Sequence, residues 1–430
     1  MAIYDLPPPH ERLNVFFGEL FARIRKNPPS NILQIVEEKF KETGYREINT
    51  GGGINNILIV RLDAIGDMII TSGFIREVRA NFPYARITLV VSPIVVPMVE
   101  LCPYVNEIFS LDKKILLDKP IDEVLERVAV FCRDNLWRKN FSIAFAPRWD
   151  GDTLPALIMV YLSGARERIG YGVNPFYSWL GEQPAEIATM NNFLLTKNIV
   201  TPRSVISEIE KNFYLLEAVG LKVNQTHMEL WYDAEDFRRA KDWLEKLPSD
   251  SKKIILGIGA SAATKKYPVE KYLVALKELA ERNLSFIIVG GSSELDDADF
   301  LEKNLPPDKV LNLTNKTTLR ETEAIAAQVD FYIGNDTGVL HMAAAAHVPI
   351  IGIYRGSVEM ENVLPAIINE FRRFPPYGTK AIALRPAHPI DECATSPPVY
   401  GLCKRLHEAH CIAQIPPQAI IEAFDKLEEI

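Results

Sequence analysis

Residues 57–75 read ILIVRLDAIGDMIITSGFI. Ile57, Leu58, Ile59 and Val60 form a short unbroken apolar run, as in a parallel strand covered on both faces. Gly66 permits a tight turn behind that strand, and Asp67 falls where a helix should begin. A carboxylate there can cap free backbone N–H groups. It also stands at the carboxyl end of a parallel strand, where open α/β sheets place their ligands. Both roles stay open on these residues alone.

The same rhythm continues outward. Apolar runs at 87–91 and 141–145 predict further strands, with helices over 68–81, 121–137 and 154–162. A less regular, proline-containing stretch covers 174–203, and a helix is expected near 205–219. The rhythm then restarts, with strands expected at 254–258, 286–289, 310–313, 331–333 and 350–353. Helices at 269–282, 295–304, 319–328 and 339–346 alternate with them. Strands interleaved with helices imply parallel sheets covered on both faces. The fold class is therefore α/β, with two Rossmann-like domains expected at 54–204 and 205–412. Residues 1–53 predict a helical extension, in which Leu13, Phe16, Phe17, Leu20, Phe21 and Ile24 recur at helical spacing. Such a stripe packs on its own protein or rests on a membrane surface. Residues 413–430 predict a closing helix that packs back on the first domain.

Composition narrows the function. The chain has 430 residues, a formal charge of −8 and 47% hydrophobic residues, ordinary for globular domains with buried cores. No long basic run interleaves with aromatics, which argues against nucleic acid as a partner. No apolar run reaches the roughly 18 residues of a membrane span. The start lacks the pattern of a secretory signal, and five cysteines do not make a disulfide framework. A cytoplasmic protein is expected, either free or peripheral to the cytoplasmic membrane.

Two loops of the second domain carry chemistry. Residues 259–268, GASAATKKYP, follow a strand and precede a helix. Small residues allow close backbone approach, Ser261 and Thr264 supply hydroxyls, and Lys265 and Lys266 supply charge. Such a loop suits phosphate oxygens, although it is neither a Walker loop nor a dinucleotide fingerprint. Residues 334–338, GNDTG, repeat the strand-to-helix step. The N–H groups of Thr337 and Gly338 open a helix whose dipole favours an anion. Asp336 caps that helix or accepts hydrogen bonds from sugar hydroxyls. His341, among Met342 and four alanines, reads as a buried histidine or a phosphate contact.

Three landmarks in this order, RLDAIGDMIITS at 61–72, GASAATKKYP at 259–268 and IGNDTGVLHMAAAAHVPIIGIY at 333–354, resemble the heptosyltransferase family of glycosyltransferases (family nine). The resemblance implies a GT-B fold, two Rossmann-like domains with parallel sheets facing across a cleft. It implies inverting transfer of a sugar from a nucleotide-diphosphate donor, by default ADP-heptose, to a lipopolysaccharide-type or other glycan acceptor. Carried over, Asp67 resembles the catalytic base and Lys265 the lysine that neutralises the departing diphosphate. Ser261, Thr264, Asp336, Thr337 and Gly338 resemble donor contacts, and Glu294 a ribose contact. No cofactor is required for catalysis on this resemblance. A sugar-nucleotide epimerase of similar build and a non-catalytic nucleotide-sugar-binding subunit are the rival expectations.

The chain also departs from the family pattern. Asp63 stands where many relatives carry a small or hydroxyl residue. Arg148, at the end of another strand, either shapes the acceptor pocket by pairing with Arg61 to an acidic group or belongs to an ordinary surface ion pair. Cys393, Cys403 and Cys411, with His407 close by, could hold Zn²⁺ or iron. Some relatives carry cysteine-rich insertions here, and one subgroup of protein heptosyltransferases uses such cysteines for iron. Three free thiols under a loop are the alternative.

Overall fold

The computed structural model describes residues 54–112, 121–148, 153–171, 194–202, 204–359, 370–389 and 408–429, with positions 116 and 119 besides. The helical extension expected at 1–53 lies outside the described residues.

The first half runs β1 (Asn56–Arg61), α1 (Ile65–Asn81), β2 (Arg86–Val91), α2 (Val96–Val99), β3 (Glu107–Ser110), α3 (Ile121–Asn135), β4 (Ile143–Ala146), α4 (Thr153–Leu162), β5 (Glu167–Gly170) and β6 (Lys197–Asn198). Helix α5 (Glu208–Glu217) and helix α6 (Ala234–Leu244) lead into the second half. That half runs β7 (Lys252–Gly257), α7 (Val269–Ala280), β8 (Leu284–Val289), α8 (Leu295–Asn304), β9 (Val310–Asn312), α9 (Leu319–Ala326), β10 (Phe331–Asn335) and α10 (Gly338–Ala345). It ends with β11 (Ile350–Ile353), α11 (Glu370–Arg373), β12 (Ala381–Leu384) and α12 (Pro417–Glu429).

Among the described residues every strand pairing is parallel, and each half forms one six-stranded sheet. The orders are β3-β2-β1-β4-β5-β6 and β9-β8-β7-β10-β11-β12, so the two sheets share one topology. In each, the strand order reverses beside the first strand: between β1 and β4, and between β7 and β10. A doubly wound sheet opens a crevice at the carboxyl ends of such a pair. The loops after β1, β4, β7 and β10 hold most of the residues singled out from the sequence.

The apolar runs explain why these strands are central. Ile57, Leu58 and Ile59 are wholly buried, as are Ile254, Ile255 and Leu256 in β7. The strands missed by hydrophobic pattern are short and flank these runs. β3 (EIFS) and β12 (AIAL) are sheet edges with little full burial, and β5 (ERIG) is only half buried at its start. Helix α6 lies between 219 and 254, where the sequence pattern predicts no element, and Asp233 caps it by accepting from the N–H groups of Glu235 and Asp236.

Two expectations are corrected. Helix α1 begins at Ile65, so Gly66 lies in its first turn and is not a separate turn residue. Helix α12 does not pack back on the first domain. It lies on α7 and the β11–β12 edge of the second sheet, where Phe424 meets Phe331 at a ring separation of 5.0 Å. Its apolar face of Ile420, Ile421, Phe424 and Leu427 is consumed there, with Lys252 pairing to Glu428 at 2.6 Å on the rim.

The two halves meet through α1 and α10, and one apolar cluster continues from Ile57 and Phe74 to Ile255 and Tyr332. Helix α5 packs on α1, where Asn212 donates to the Ile70 carbonyl at 3.2 Å. The following strap is tied to α1 by Arg76, which donates to the carbonyls of His227 at 2.9 Å and Gln225 at 2.7 Å.

Candidate active site

The crevice of the first sheet begins with β1. Its last residue, Arg61, is almost wholly buried and turns towards the next helix. Arg61 Nη2 donates to Asp67 Oδ1 at 3.2 Å, and its Nε lies 2.8 Å from Asp63 Oδ2. Arg61 Nη1 is buried and meets no hydrogen-bond acceptor among the described residues. Arg148, from the loop after β4, donates to Asp63 Oδ1. Asp63 therefore bridges the two arginines expected at the acceptor. Asp67 Oδ2 accepts from the Ala64 N–H at 3.3 Å, so the residue caps α1 as one of its two possible roles requires. Its side chain is still 20% exposed, enough to reach a ligand.

Two residues that the sequence left unassigned join this cluster. Glu208, at the start of α5, is buried and accepts from Arg373 Nε at 2.7 Å, with Lys211 Nζ at 3.7 Å. Burial raises the Glu208 carboxyl, against the pull of Lys211, Arg61 and Arg148. Burial likewise lowers Arg373 from its usual range. Arg373 belongs to the short helix α11, far along the chain, and no local pattern marks it.

In the second sheet the loop 258–268 leaves β7 and forms a 3-10 turn at Ala263–Lys265. Its two lysines diverge. Lys265 Nζ faces Asp336 Oδ2 at 3.4 Å, while Lys266 pairs with Asp297 at 2.6 Å on α8. Thr264 is buried and its Oγ1 accepts from Arg355 Nη1 at 2.7 Å. Ser261 is exposed at the tip of the loop. Glu294 folds over the loop's first residue, so that a Cβ on Gly259 would stand 2.8 Å from Glu294 Cδ. Its carboxylate accepts from the Gly291 N–H at 2.8 Å and from Ser293 Oγ at 2.6 Å.

The loop after β10 meets this one. Thr337 is the N-cap of α10 and Gly338 its first residue. Asn335 sits beneath, with no exposure, and joins both loops. Its Nδ2 donates to the carbonyls of Ile258 at 2.8 Å and Gly259 at 3.0 Å. Its Oδ1 accepts from the Tyr267 N–H at 3.2 Å and from Tyr272 Oη at 3.0 Å. The amide thus uses both donors and both lone pairs. Asn335 lay inside the quoted GNDTG motif, but its role depends on partners about seventy residues away.

His341, on α10, connects the two crevices. It is buried, its Nε2 lies 3.8 Å from Asp336 Oδ1, and its Nδ1 has no hydrogen-bond partner among the described residues. Burial lowers its ring, while Asp336 and Asp67 raise it and Lys265 lowers it further. One imidazole therefore feels the carboxylate of the first crevice and both charges of the second.

Cys393, Cys403 and His407 lie outside the described residues; Cys411 has His410 Nδ1 at 3.1 Å from its sulfur. Cys102 and Cys132 are buried free thiols, and burial pushes Cys102 up to about 12.

Two six-stranded parallel sheets of one topology, joined through α1 and α10, have the GT-B architecture, and the comparisons with known proteins point to a glycosyltransferase. The profile of glycosyltransferase family 9 (heptosyltransferase) matches residues 182–382. Lipopolysaccharide heptosyltransferase 3 of Escherichia coli K12 is 21% identical over 322 residues, covering 72% of this chain and 87% of that protein. The lipopolysaccharide core heptosyltransferase OpsX of Haemophilus influenzae is 21% identical over 317 residues, covering 70% and 78%. Among solved structures, a family 9 glycosyl transferase from Veillonella parvula superposes with a TM-score of 0.65 at 17% identity, covering 89% of this chain and 98% of that one. The ADP-heptose lipopolysaccharide heptosyltransferase II of E. coli gives 0.62 at 18%, covering 87% and 100%. The chain is thus similar to glycosyltransferase family 9 (heptosyltransferase) in the profile match over residues 182–382 and to individual heptosyltransferases over about 70% of its length.

Proposed function

We propose that this protein is an inverting, metal-independent glycosyltransferase that moves a heptose from ADP-heptose to a hydroxyl of a lipopolysaccharide-type acceptor, with Asp67 as base. The observation that carries this reading is His341, whose ring lies against Gly66, the residue before Asp67, in the first domain and 3.8 Å from Asp336, the partner of Lys265, in the second. The base and the leaving-group site are thus one side chain apart. The names of the relatives supply the donor and acceptor by analogy.

In the proposed reaction the acceptor hydroxyl gives its proton to Asp67 while its oxygen attacks the anomeric carbon. The bond from that carbon to the diphosphate oxygen breaks on the opposite face, and the diphosphate leaves with the electron pair. Lys265 and the N–H groups at the start of α10 meet the developing negative charge, the work a metal ion does in other transferases. Thr264 and Ser261 supply hydroxyls to the same oxygens, Asp336 accepts from sugar hydroxyls, and Glu294 faces the ribose. Arg61 orients Asp67, and Arg148, through Asp63, shapes the acceptor side. No described helix is long and apolar enough to cross a membrane. In this proposal a lipid-linked acceptor is met in the cytoplasm, at the inner membrane surface.

Asp67→Asn is the test. It keeps the size of the side chain and its hydrogen bond from Ala64 but removes the base. Acceptor-dependent release of ADP from ADP-heptose should fall by about 10²–10⁴-fold, with ADP binding by calorimetry unchanged. Donor consumption without acceptor would favour the epimerase. Full transfer activity in Asp67→Asn would remove Asp67 from the mechanism.

A further inference from the structure

The carboxyl end of β11 adds a residue to the donor crevice. Strand register sets Asn335 opposite Ile353, so Arg355 emerges beside Thr337, each two residues beyond the paired position. Gly257 of β7 is opposite Gly334 on the other side, which brings the 258–268 loop out at the same level. Arg355 Nη1 reaches that loop and donates to Thr264 Oγ1 at 2.7 Å. Thr264 is the residue before Lys265 in the 3-10 turn.

Arg355 stands on a braced frame. Arg385, on the segment following β12, donates from Nε to the Gly356 carbonyl at 2.9 Å and from Nη2 to the Ser357 carbonyl at 2.8 Å. The Tyr354 N–H donates to Leu384 and the Val358 N–H to Pro386, both at 2.9 Å. Preorganised cations of this kind are effective where charge develops, because no reorganisation is required at the moment of reaction. A guanidinium also offers five N–H donors in a planar fork that matches phosphate oxygens.

We propose that Arg355 binds the diphosphate of the donor, so that Arg355 and Lys265 flank the leaving group from β11 and from the β7 loop. This deepens the function proposed above and rests on its donor site. The hydroxyl of Thr264 holds the guanidinium in place before the donor arrives and shares the phosphate oxygens with it afterwards. A lysine here would keep the charge but lose the fork.

The test is calorimetric titration of ADP and of inorganic pyrophosphate into the full chain and into Arg355→Ala, Arg355→Lys, Thr264→Val and Lys265→Ala. Arg355→Ala should weaken both probes by about ten- to a hundredfold. Arg355→Lys should recover part of that loss. Thr264→Val should show the smaller effect, because the guanidinium remains. ADP and pyrophosphate affinities unchanged in Arg355→Ala, with Lys265→Ala impaired, would overturn the role of Arg355 alone. A loss in Thr264→Val as large as that in Arg355→Ala would also overturn it, since Arg355 would then act only as a brace for Thr264. Failure of the unaltered chain to bind either probe, or indifference of Lys265→Ala, would bring down the donor site itself.

Discussion

Gly66 of the first domain and His341 of the second touch: a Cβ placed on Gly66 would stand 2.8 Å from His341 Cδ2. The contact is reciprocal nearby, since a Cβ on Gly338 would stand 2.6 Å from Ile65 Cγ2. Helices α1 and α10 therefore approach start to start, and two glycines make the approach possible. It sets the separation between Asp67, next to Gly66, and Asp336, two residues before Gly338.

Gly66→Ala should push the buried His341 ring away, because the ring has no flexible end that can give. Overpacking of this kind costs about 1–3 kcal/mol. Transfer activity should fall further than stability does, since the shift opens the base-to-donor distance. Thermal melts alongside kcat would check this; a variant with full kcat would show that the spacing tolerates a methyl group.

Asn335→Asp is expected to be worse than its small change in shape suggests. The carboxylate cannot donate to the Ile258 and Gly259 carbonyls, and it places a charge where there is no exposure. Leaving such groups unsatisfied costs roughly 1–3 kcal/mol each. Because both loops proposed to hold the donor hang on this amide, the KM for the donor should rise well before the fold is lost. Chemical denaturation and donor KM, measured on Asn335→Asp and Asn335→Ser, separate the two effects.

Glu323 on α9 gives a pH prediction. Its buried carboxylate accepts from the Trp231 N–H at 3.2 Å, and burial raises it to about 8. The folded protein thus holds a proton that the unfolded chain releases near pH 4.5. Stability from this group is present below that value and is lost as pH rises towards 8. Glu323→Gln keeps the acceptor without the charge. It should match the unaltered protein at pH 5 and exceed it at pH 8 by roughly 1–3 kcal/mol. Equal stability of the two proteins at both pH values would show that water reaches the carboxylate.

Arg373 and Glu208 test how the far C-terminal segment supports the first crevice. Arg373→Ala takes from the buried Glu208 its 2.7 Å partner and leaves Lys211 at 3.7 Å, and breaking a buried pair costs about 3–5 kcal/mol. The loss should be larger at pH 8 than at pH 5, because removing the cation raises Glu208 further and its ionised form becomes the costly one. The double variant Arg373→Ala with Glu208→Gln should regain part of the loss at pH 8. Melting curves at the two pH values read both effects.

Much of this molecule was legible from local pattern. The runs 57–60 and 254–258 are apolar without interruption because both faces of a central parallel strand are covered, and the strands lie there. The strand-to-helix steps at Asp67 and Asp336 are equally local, and ligand crevices follow from sheet topology once the strands are known. Edge strands such as β3 and β12 were not legible, since a half-covered four-residue strand has no hydrophobic signature of its own.

The sequence by itself therefore determined two doubly wound sheets and the loops that bear the chemistry, because strand burial and helix starts are written in neighbouring residues. Only the tertiary structure decided which partner each cation meets. It turned Lys265 towards Asp336 and Lys266 away to Asp297, drew Arg61 to Asp67, and brought Arg355 and Arg373 in from distant segments. It also placed α12 on the second sheet, where its apolar face finds Phe331. The physical reason is the same in each case. A long charged side chain reaches several ångströms in many directions, and the carboxylate or hydroxyl that selects one of them is supplied by a loop dozens of residues away.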